Sequence, residues 1–214
     1  MELSPGNIDA LIFDMDGTLW NATESYAKIW NSTCREFGID ASFKGEDLMQ
    51  YMGMSINDIL THLLGDSMNV ERSLFMKSLE DNEFNMMSTL GGVLFDGVKE
   101  GLAMLSSGYR LFMLSNCSAR GLLNFTLYTG TTSLFEGLLT QGERPVSKSE
   151  NLCFMKQTYS LQNPIYVGDT QADCNEAHSA GLAFAFAEWG FGTCVDPDLS
   201  FGSFTSFTQY FLNR

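Results

Sequence analysis

The segment ALIFDMDGTL at positions 10–19 constrains the fold of this chain more than any other stretch. Its apolar run stops abruptly at two acids, Asp14 and Asp16, and Gly17 follows at once. A short apolar run that ends in a turn signal is typical of a buried strand. Open α/β sheets carry their chemical groups at the carboxyl ends of such strands. The segment therefore predicts a buried strand with a functional site at its end.

The two acids of this segment also indicate what the site holds. Carboxylates as close in sequence as Asp14 and Asp16 repel each other unless a cation lies between them. Mg²⁺ is a hard cation that binds one or two carboxylates and keeps several of its waters. We therefore expect a metal-assisted pair of carboxylates at the end of the first strand.

Apolar runs of strand length alternate with helix-length segments over the second half of the chain. This alternation predicts a parallel sheet that helices cover on both faces. Between the first strand and the second, positions 20–89 show only helical spacing. We therefore predict a doubly wound parallel α/β sheet from positions 1–19 and 90–214, with an inserted helical cap at 20–89. The predicted strands span positions 11–13, 109–114, 137–140, 165–167 and 183–187.

The charge of the chain limits its partners. With 214 residues and a formal net charge of −14, it suits one large domain or a core with an insertion, and its field repels nucleic acid and anionic membranes. A phosphate ester would need local positive charge from a metal ion, one lysine and backbone amides. No feature of the sequence determines the number of subunits.

Cysteine usage and hydropathy predict the compartment. The five cysteines are scattered and form no CxxC pair, which is typical of reduced thiols in a cytoplasmic protein. The first residues do not resemble a signal peptide, and no apolar run reaches the roughly 18 residues of a membrane helix. We expect a cytoplasmic location and no membrane partner.

Two acidic motifs carry a resemblance to a known family. The run from Asp14 to Thr18 (DMDGT) resembles the first motif of the haloacid dehalogenase superfamily of phosphatases, and GDTQAD at 168–173 resembles its GDxxxD motif. The resemblance implies that Asp14 is a nucleophile that becomes an aspartyl-phosphate and that Asp16 is the general acid and base. It further implies Mg²⁺ ligands at Asp14, Asp16 and Asp169, with Asp173 holding a metal-bound water or a lysine behind them.

The family's phosphate-binding and cationic motifs also have counterparts. Ser115 and Asn116 follow the second strand, where the family places a hydroxyl that bonds a phosphoryl oxygen, so the implied phosphate-binding residues are Gly17, Thr18, Ser115 and Asn116. Thr18 is also a candidate for orienting Asp16.

Two residues compete to supply the family's cation. Lys148 opens a segment that resembles the KxEN pattern of one subgroup, whereas Arg144 precedes a proline, as the family's lysine often does. We favour Lys148, since a lysine amine is compact enough to enter a tight site.

Together the four motifs resemble the phosphoglycolate phosphatase-like branch of the superfamily. This resemblance implies a Rossmann-like core with strand order 3-2-1-4-5 and a Mg²⁺-dependent phosphatase that hydrolyses a small phosphate monoester. Two alternatives stay open, namely a phosphosugar mutase with the same motifs and a phosphate-binding regulatory protein without turnover. The loop YMGMS at 51–55 is our candidate for the part of the cap that faces the substrate. The glycine-rich loop at 188–192 resembles one that follows the last core strand in the same subgroup, and we assign it no role.

Overall fold

The computed structural model describes residues 4–65 and 71–213. In this described part of the chain the strands and α-helices follow one another as β1 (Ala10–Phe13), β2 (Trp20–Asn21), α1 (Thr23–Glu36), α2 (Gly45–Met49), α3 (Ile56–Leu64), α4 (Arg72–Leu90), β3 (Val93–Leu94), α5 (Val98–Leu105), β4 (Arg110–Ser115), α6 (Gly121–Thr129), β5 (Gly137–Thr140), α7 (Lys148–Thr158), β6 (Pro164–Gly168), α8 (Gln171–Ser179), β7 (Ala183–Ala187), β8 (Leu199–Phe201) and α9 (Phe204–Leu212).

A parallel sheet with the order β5-β4-β1-β6-β7-β8 occupies the centre of the molecule. The predicted α/β fold is therefore confirmed. The predicted order of the five core strands is confirmed as well, and they are β5-β4-β1-β6-β7 in the present labels. The sequence analysis missed the edge strand β8, because its three residues are only partly buried or exposed and show no continuous apolar run.

The central strand β1 is held from both faces of the sheet. Leu11 and Phe13 pack in one apolar cluster with α5 and α9, whereas Ala10 and Ile12 pack in a second cluster with α7 and α8. Successive side chains of a strand point to opposite faces, so a continuous apolar run is what a doubly covered strand requires. Full burial of a leucine or phenylalanine contributes about 2 kcal/mol, so β1 is a firm base for the acid that follows it.

Helices α1 to α4 lie between β1 and the rest of the sheet in the chain order, as the helical spacing predicted. The chain enters and leaves them through a short antiparallel ribbon in which Trp20 pairs with Leu94 and Asn21 with Val93. The expectation of no strand between positions 20 and 89 was wrong at Trp20–Asn21, because two residues are too few to show a period.

Helix ends show where local sequence signals succeed. Ser55 caps α3 by accepting the amide proton of Asp58. Helix α7 begins at Lys148, because Ser147 and Glu150 form a reciprocal capping box just before it. Val70, whose spacing from Leu74 in the sequence is helical, lies outside the described residues.

All five cysteines lie in the described part of the chain. Each of the five cysteines is a free thiol, so none of them forms a disulfide bond. Among the described helices, none combines the length and the apolar character that crossing a bilayer requires.

Candidate active site

Two neighbouring strands of the sheet each end in an acid. Asp14 follows β1 and Asp169 follows β6, and the pairing of Phe13 with Val167 brings the two strand ends side by side. Both acids are 1% exposed. Gly17 makes their approach possible, because its backbone has a φ of +82° and a Cβ atom there would collide with the carboxylate of Asp169.

A third acid completes a cluster of carboxylates. Asp14, Asp169 and Asp173 each offer an oxygen that lies within 4.8 Å of the others. Asp173 stands in the first turn of α8, where the Thr170 hydroxyl donates to its Oδ2 atom at 2.6 Å. The cluster consists of hard oxygen donors, which is the ligand type that Mg²⁺ prefers.

The carboxylate of Asp16 lies outside this cluster, although the sequence analysis grouped it with the metal ligands. It accepts hydrogen bonds from Trp20 Nε1 at 2.9 Å and from the Tyr26 hydroxyl at 3.3 Å. The reason is the turn at Gly17, which ends the strand alternation and forms a bridge between Asp16 and Trp20. Asp16 therefore faces the helical insertion, while Asp173 takes the place beside Asp14 and Asp169.

Lys148 is the cation that reaches the acids. Its Nζ atom lies 3.0 Å from Asp14 Oδ1 and 2.6 Å from Asp173 Oδ1, and the residue is 4% exposed. Burial alone would lower the pKa of Lys148, but the charges of Asp14 and Asp173 raise it well above its usual value. Lys148 is therefore charged at any physiological pH.

Arg144, the competing candidate, is engaged elsewhere. Its Nη1 atom donates to Asn151 Oδ1 at 2.9 Å, and its guanidinium group lies 4.8 Å from the ring centre of Phe154. Both contacts are with helix α7, and no contact of Arg144 with the acid cluster occurs among the described residues.

Gly17, which approaches Asp169, is one of the four residues with an implied phosphate role, and the other three have different surroundings. Ser115 ends β4 and is 3% exposed, and Asn116 donates from Nδ2 to the Gly53 carbonyl oxygen at 2.8 Å. Thr18 is fully buried, and its hydroxyl donates to Asp169 Oδ1 at 3.4 Å. Thr18 thus contacts Asp169, and it is Trp20 and Tyr26 that orient Asp16.

The glycine-rich loop at 188–192 donates hydrogen bonds to Asp169 and to the backbone of Thr18. The sequence analysis gave this loop no role. The Phe191 amide donates to Asp169 Oδ2 at 2.8 Å, and Trp189 Nε1 donates to the Thr18 carbonyl oxygen at 2.9 Å. A Cβ atom at Gly190 would collide with Asp169 and with the Gly17 carbonyl. The two glycines of the loop were the available signal for this close approach.

The sequence analysis also missed the contact of Tyr166 with the site. Its hydroxyl lies 3.2 Å from Asp14 Oδ1 and 3.1 Å from the Leu114 carbonyl oxygen. Because Tyr166 sits inside β6 and is fully buried, its sequence position indicated only the core.

Burial leaves the site short of positive charge. Burial, opposed by Lys148, raises the pKa of Asp14 to about 6, and burial together with Asp173 and Asp14 raises the pKa of Asp169 to about 7. One lysine therefore does not offset the cluster of three acids. A divalent cation held by oxygen atoms fits this excess of negative charge.

These pKa shifts predict how the stability of the metal-free protein depends on pH. Folding raises the pKa values of Asp14 and Asp169 from 3.8, so the folded state binds more protons than the unfolded state between about pH 4 and pH 7. The free energy of unfolding should therefore fall by several kcal/mol as pH rises through this window. Urea unfolding in EDTA at pH 5 and pH 8 measures this fall in the free energy of unfolding. Added Mg²⁺ should stabilise the protein more at pH 8 than at pH 5. Greater metal-free stability at pH 8 than at pH 5 would contradict this electrostatic picture.

Comparison with known proteins places this geometry in a family. The family model described as haloacid dehalogenase-like hydrolase matches residues 11–187. A phosphoglycolate phosphatase of Aquifex aeolicus is 25% identical over 186 residues, which cover 85% of this chain and 85% of that protein. A pyrophosphatase, PpaX, of Listeria monocytogenes is 23% identical over 190 residues, which cover 86% of this chain and 85% of that protein.

Solved structures show the same fold. A haloacid dehalogenase-like family hydrolase from Streptococcus pneumoniae has a TM-score of 0.78 at 20% identity and covers 95% of this chain and 98% of its own. CbbY from Rhodobacter sphaeroides, solved in complex with phosphate, has a TM-score of 0.79 at 18% identity. The match covers 94% of this chain and 96% of CbbY. These findings confirm the predicted family and the predicted phosphatase type of enzyme. The chain belongs to the haloacid dehalogenase-like hydrolases.

Proposed function

We propose that this protein is a Mg²⁺-dependent phosphatase that hydrolyses a small phosphate monoester through an aspartyl-phosphate on Asp14. One observation carries the proposal: the Lys148 ammonium group lies 3.0 Å from Asp14 and 2.6 Å from Asp173, inside a buried cluster of three carboxylates. Such a cluster can accept a phosphoryl group only where cations balance its charge, and Lys148 together with a divalent ion supplies that balance.

The first chemical step uses Asp14 as the nucleophile. One of its carboxylate oxygens forms a bond to phosphorus while the bond between phosphorus and the ester oxygen breaks. Mg²⁺, when held by Asp14 and Asp169 with Asp173 beside them, supplies positive charge to the phosphoryl oxygens. Lys148 offsets the charge of Asp14, and Ser115 and Asn116, at the end of β4, would donate hydrogen bonds to the phosphoryl group.

Asp16 is suited to move the proton. Burial raises the pKa of Asp16 well above its usual value, which favours the protonated form that can donate to the leaving oxygen. In the second step a water molecule attacks phosphorus, Asp16 takes a proton from that water, and phosphate leaves as Asp14 is restored. Tyr26 on α1 holds Asp16, so docking of the helical insertion also positions the acid.

We further propose that helices α1 to α4 act as the cap that closes over the substrate. The carbonyl oxygen of Gly53, in the loop at 51–55, accepts the hydrogen bond from Asn116 and so ties this loop to the end of β4. A cavity of about 60 Å³ remains between the two parts, with Met52 and Met54 on the cap side and Ser115 on the sheet side.

Two features favour a phosphatase over the two alternatives. The small cavity between the cap and the sheet, about 60 Å³, suits a short ester better than a sugar bisphosphate, which a mutase must turn round within its site. A regulatory protein without turnover would not need Asp16, which lies at the cavity and is oriented by two hydrogen-bond donors. We also propose a cytoplasmic location, because all five cysteines are free thiols.

Metal dependence provides the test of this function. Phosphate release from p-nitrophenyl phosphate in Mg²⁺ should fall by at least about 100-fold after dialysis against EDTA, because the charge of the metal is worth several kcal/mol in the transition state. Added Mg²⁺ should restore the rate. Ca²⁺ should not, since it prefers more ligands at longer distances. Full turnover in EDTA, or no turnover of any phosphate ester in Mg²⁺, would contradict the proposal.

A further inference from the structure

The cavity between the cap and the sheet is where the alcohol part of a substrate would lie. Asp16, which we assign as the acid for the leaving oxygen, forms part of its lining together with Ser115. The cavity is small, with a volume of about 60 Å³, and it favours a short alcohol group.

Glu83 on α4 places a second carboxyl group in the wall of this cavity. The residue is 5% exposed, and its Oε1 atom accepts one hydrogen bond, from the Ser118 hydroxyl at 3.1 Å. Within residues 4–65 and 71–213, it makes no ion pair, and its second carboxylate oxygen has no hydrogen-bond partner. Burial raises the pKa of Glu83 to about 7, so its charged form is disfavoured unless a cation lies beside it. Glu83 is therefore a candidate partner for a cation in this cavity.

The rest of the cavity offers no cation to balance Glu83. None of the described residues that line it is a lysine, arginine or histidine. Much of its wall is aromatic or apolar, including Tyr26, Trp30, Met52 and Met54, and Asn116 and Ser118 are uncharged polar members. Electron-rich ring faces attract cations and give an anion no compensation. A carboxylate or a second phosphate in this cavity would therefore meet no cation among the described lining residues.

Resting on the function proposed above, we propose that the substrate is a short phosphate monoester whose alcohol carries a cationic amine, and that Glu83 binds that amine. The phosphoryl group lies at Asp14, and the amine forms the missing ion pair with Glu83. The net charge of −14 acts in the same direction, because an amine cancels part of the charge that would otherwise repel a phosphate ester from this protein.

A substrate panel tests the charge preference. We expect kcat/KM for phosphoethanolamine to exceed that for ethyl phosphate by about tenfold or more, as a charged hydrogen bond provides. The value for 2-phosphoglycolate should be lower still. Equal or faster hydrolysis of 2-phosphoglycolate would overturn this inference and leave the phosphatase assignment intact. Release of phosphate from none of these esters, nor from p-nitrophenyl phosphate, would instead overturn the phosphatase assignment.

The variant Glu83→Gln isolates the carboxylate. Its amide oxygen can still accept from Ser118, so the packing is kept while the charge is lost. We expect the ratio of kcat/KM for phosphoethanolamine to that for ethyl phosphate to fall about tenfold or more. Asp81→Asn removes a charge from an exposed position of the same helix and should leave this ratio unchanged.

Two readouts independent of turnover accompany the ratio. Calorimetric binding of phosphoethanolamine to Asp14→Asn should weaken about tenfold when Glu83→Gln is added, whereas binding of inorganic phosphate should not change. Glu83→Gln should also unfold at a higher temperature than the wild type, because a buried acid without a cation has been removed. An unchanged ratio together with unchanged binding would show that Glu83 does not select the substrate.

Discussion

Asp14→Asn should lose essentially all phosphatase activity, with kcat reduced by about 10⁴-fold or more. An amide oxygen is too weak a nucleophile to attack phosphorus, and no other described carboxylate takes the position of Asp14 between Lys148 and Asp169. The fold should persist. Because folding raises the pKa of Asp14 to about 6, the folded state favours an uncharged side chain here, and asparagine is uncharged.

Three measurements make this expectation specific. Phosphate release from p-nitrophenyl phosphate gives kcat, thermal unfolding shows that the variant is folded, and mass spectrometry of acid-quenched wild-type enzyme detects phosphate on Asp14. The variant should show no such adduct, and Asp81→Asn should behave as the wild type in all three assays. Wild-type turnover by folded Asp14→Asn would remove the nucleophile on which the proposed mechanism depends.

The acids of the site were predictable because their position depends on local sequence. Asp14 and Asp169 each end an apolar run of strand length, and parallel strands that are neighbours place such residues together. Asp173 follows four residues after Asp169, within the first turn of the next helix. The strand order, by contrast, was predicted from the resemblance to the family, because strand-helix alternation alone leaves more than one arrangement of a parallel sheet.

Other parts of the site depend on contacts that no local pattern encodes. Tyr166 reaches Asp14 across 152 positions, and its place inside a buried strand gave it the signature of a core residue. Glu83 meets Ser118 only because α4 docks against the loop after β4. The carboxylate of Asp16 lies apart from the other acids because the chain turns at Gly17. The alternation of side chains along a strand does not predict such a turn. Sequence patterns therefore do not predict how the helices dock, nor how the chain turns after a strand ends.

Lys148→Met should impair both activity and stability. The methionine chain fills the same space, but Asp14 and Asp173 lose a buried cation that lies within 3.0 Å of each. Removing one partner of a buried ion pair costs about 3–5 kcal/mol of unfolding free energy. Loss of a charge that stabilises the transition state should lower kcat by about 100-fold or more. Urea unfolding and phosphate release measure the two effects.

The loss of stability should itself depend on pH. At pH 8 the unpaired carboxylates of Asp14 and Asp173 repel each other, whereas near pH 5 the raised pKa of Asp14 lets protonation relieve that repulsion. Lys148→Met should therefore be more destabilising at pH 8 than at pH 5, and Mg²⁺ should recover part of the difference.

Arg144→Met is the matched control for Lys148→Met, because Arg144 was the other candidate cation and contacts Asn151 and Phe154. Losing those contacts should cost about 1 kcal/mol and leave kcat near the wild-type value. If Arg144→Met abolished turnover while Lys148→Met retained it, the cation of the site would be Arg144. The ion pair between Lys148 and Asp14 would then have only a structural role.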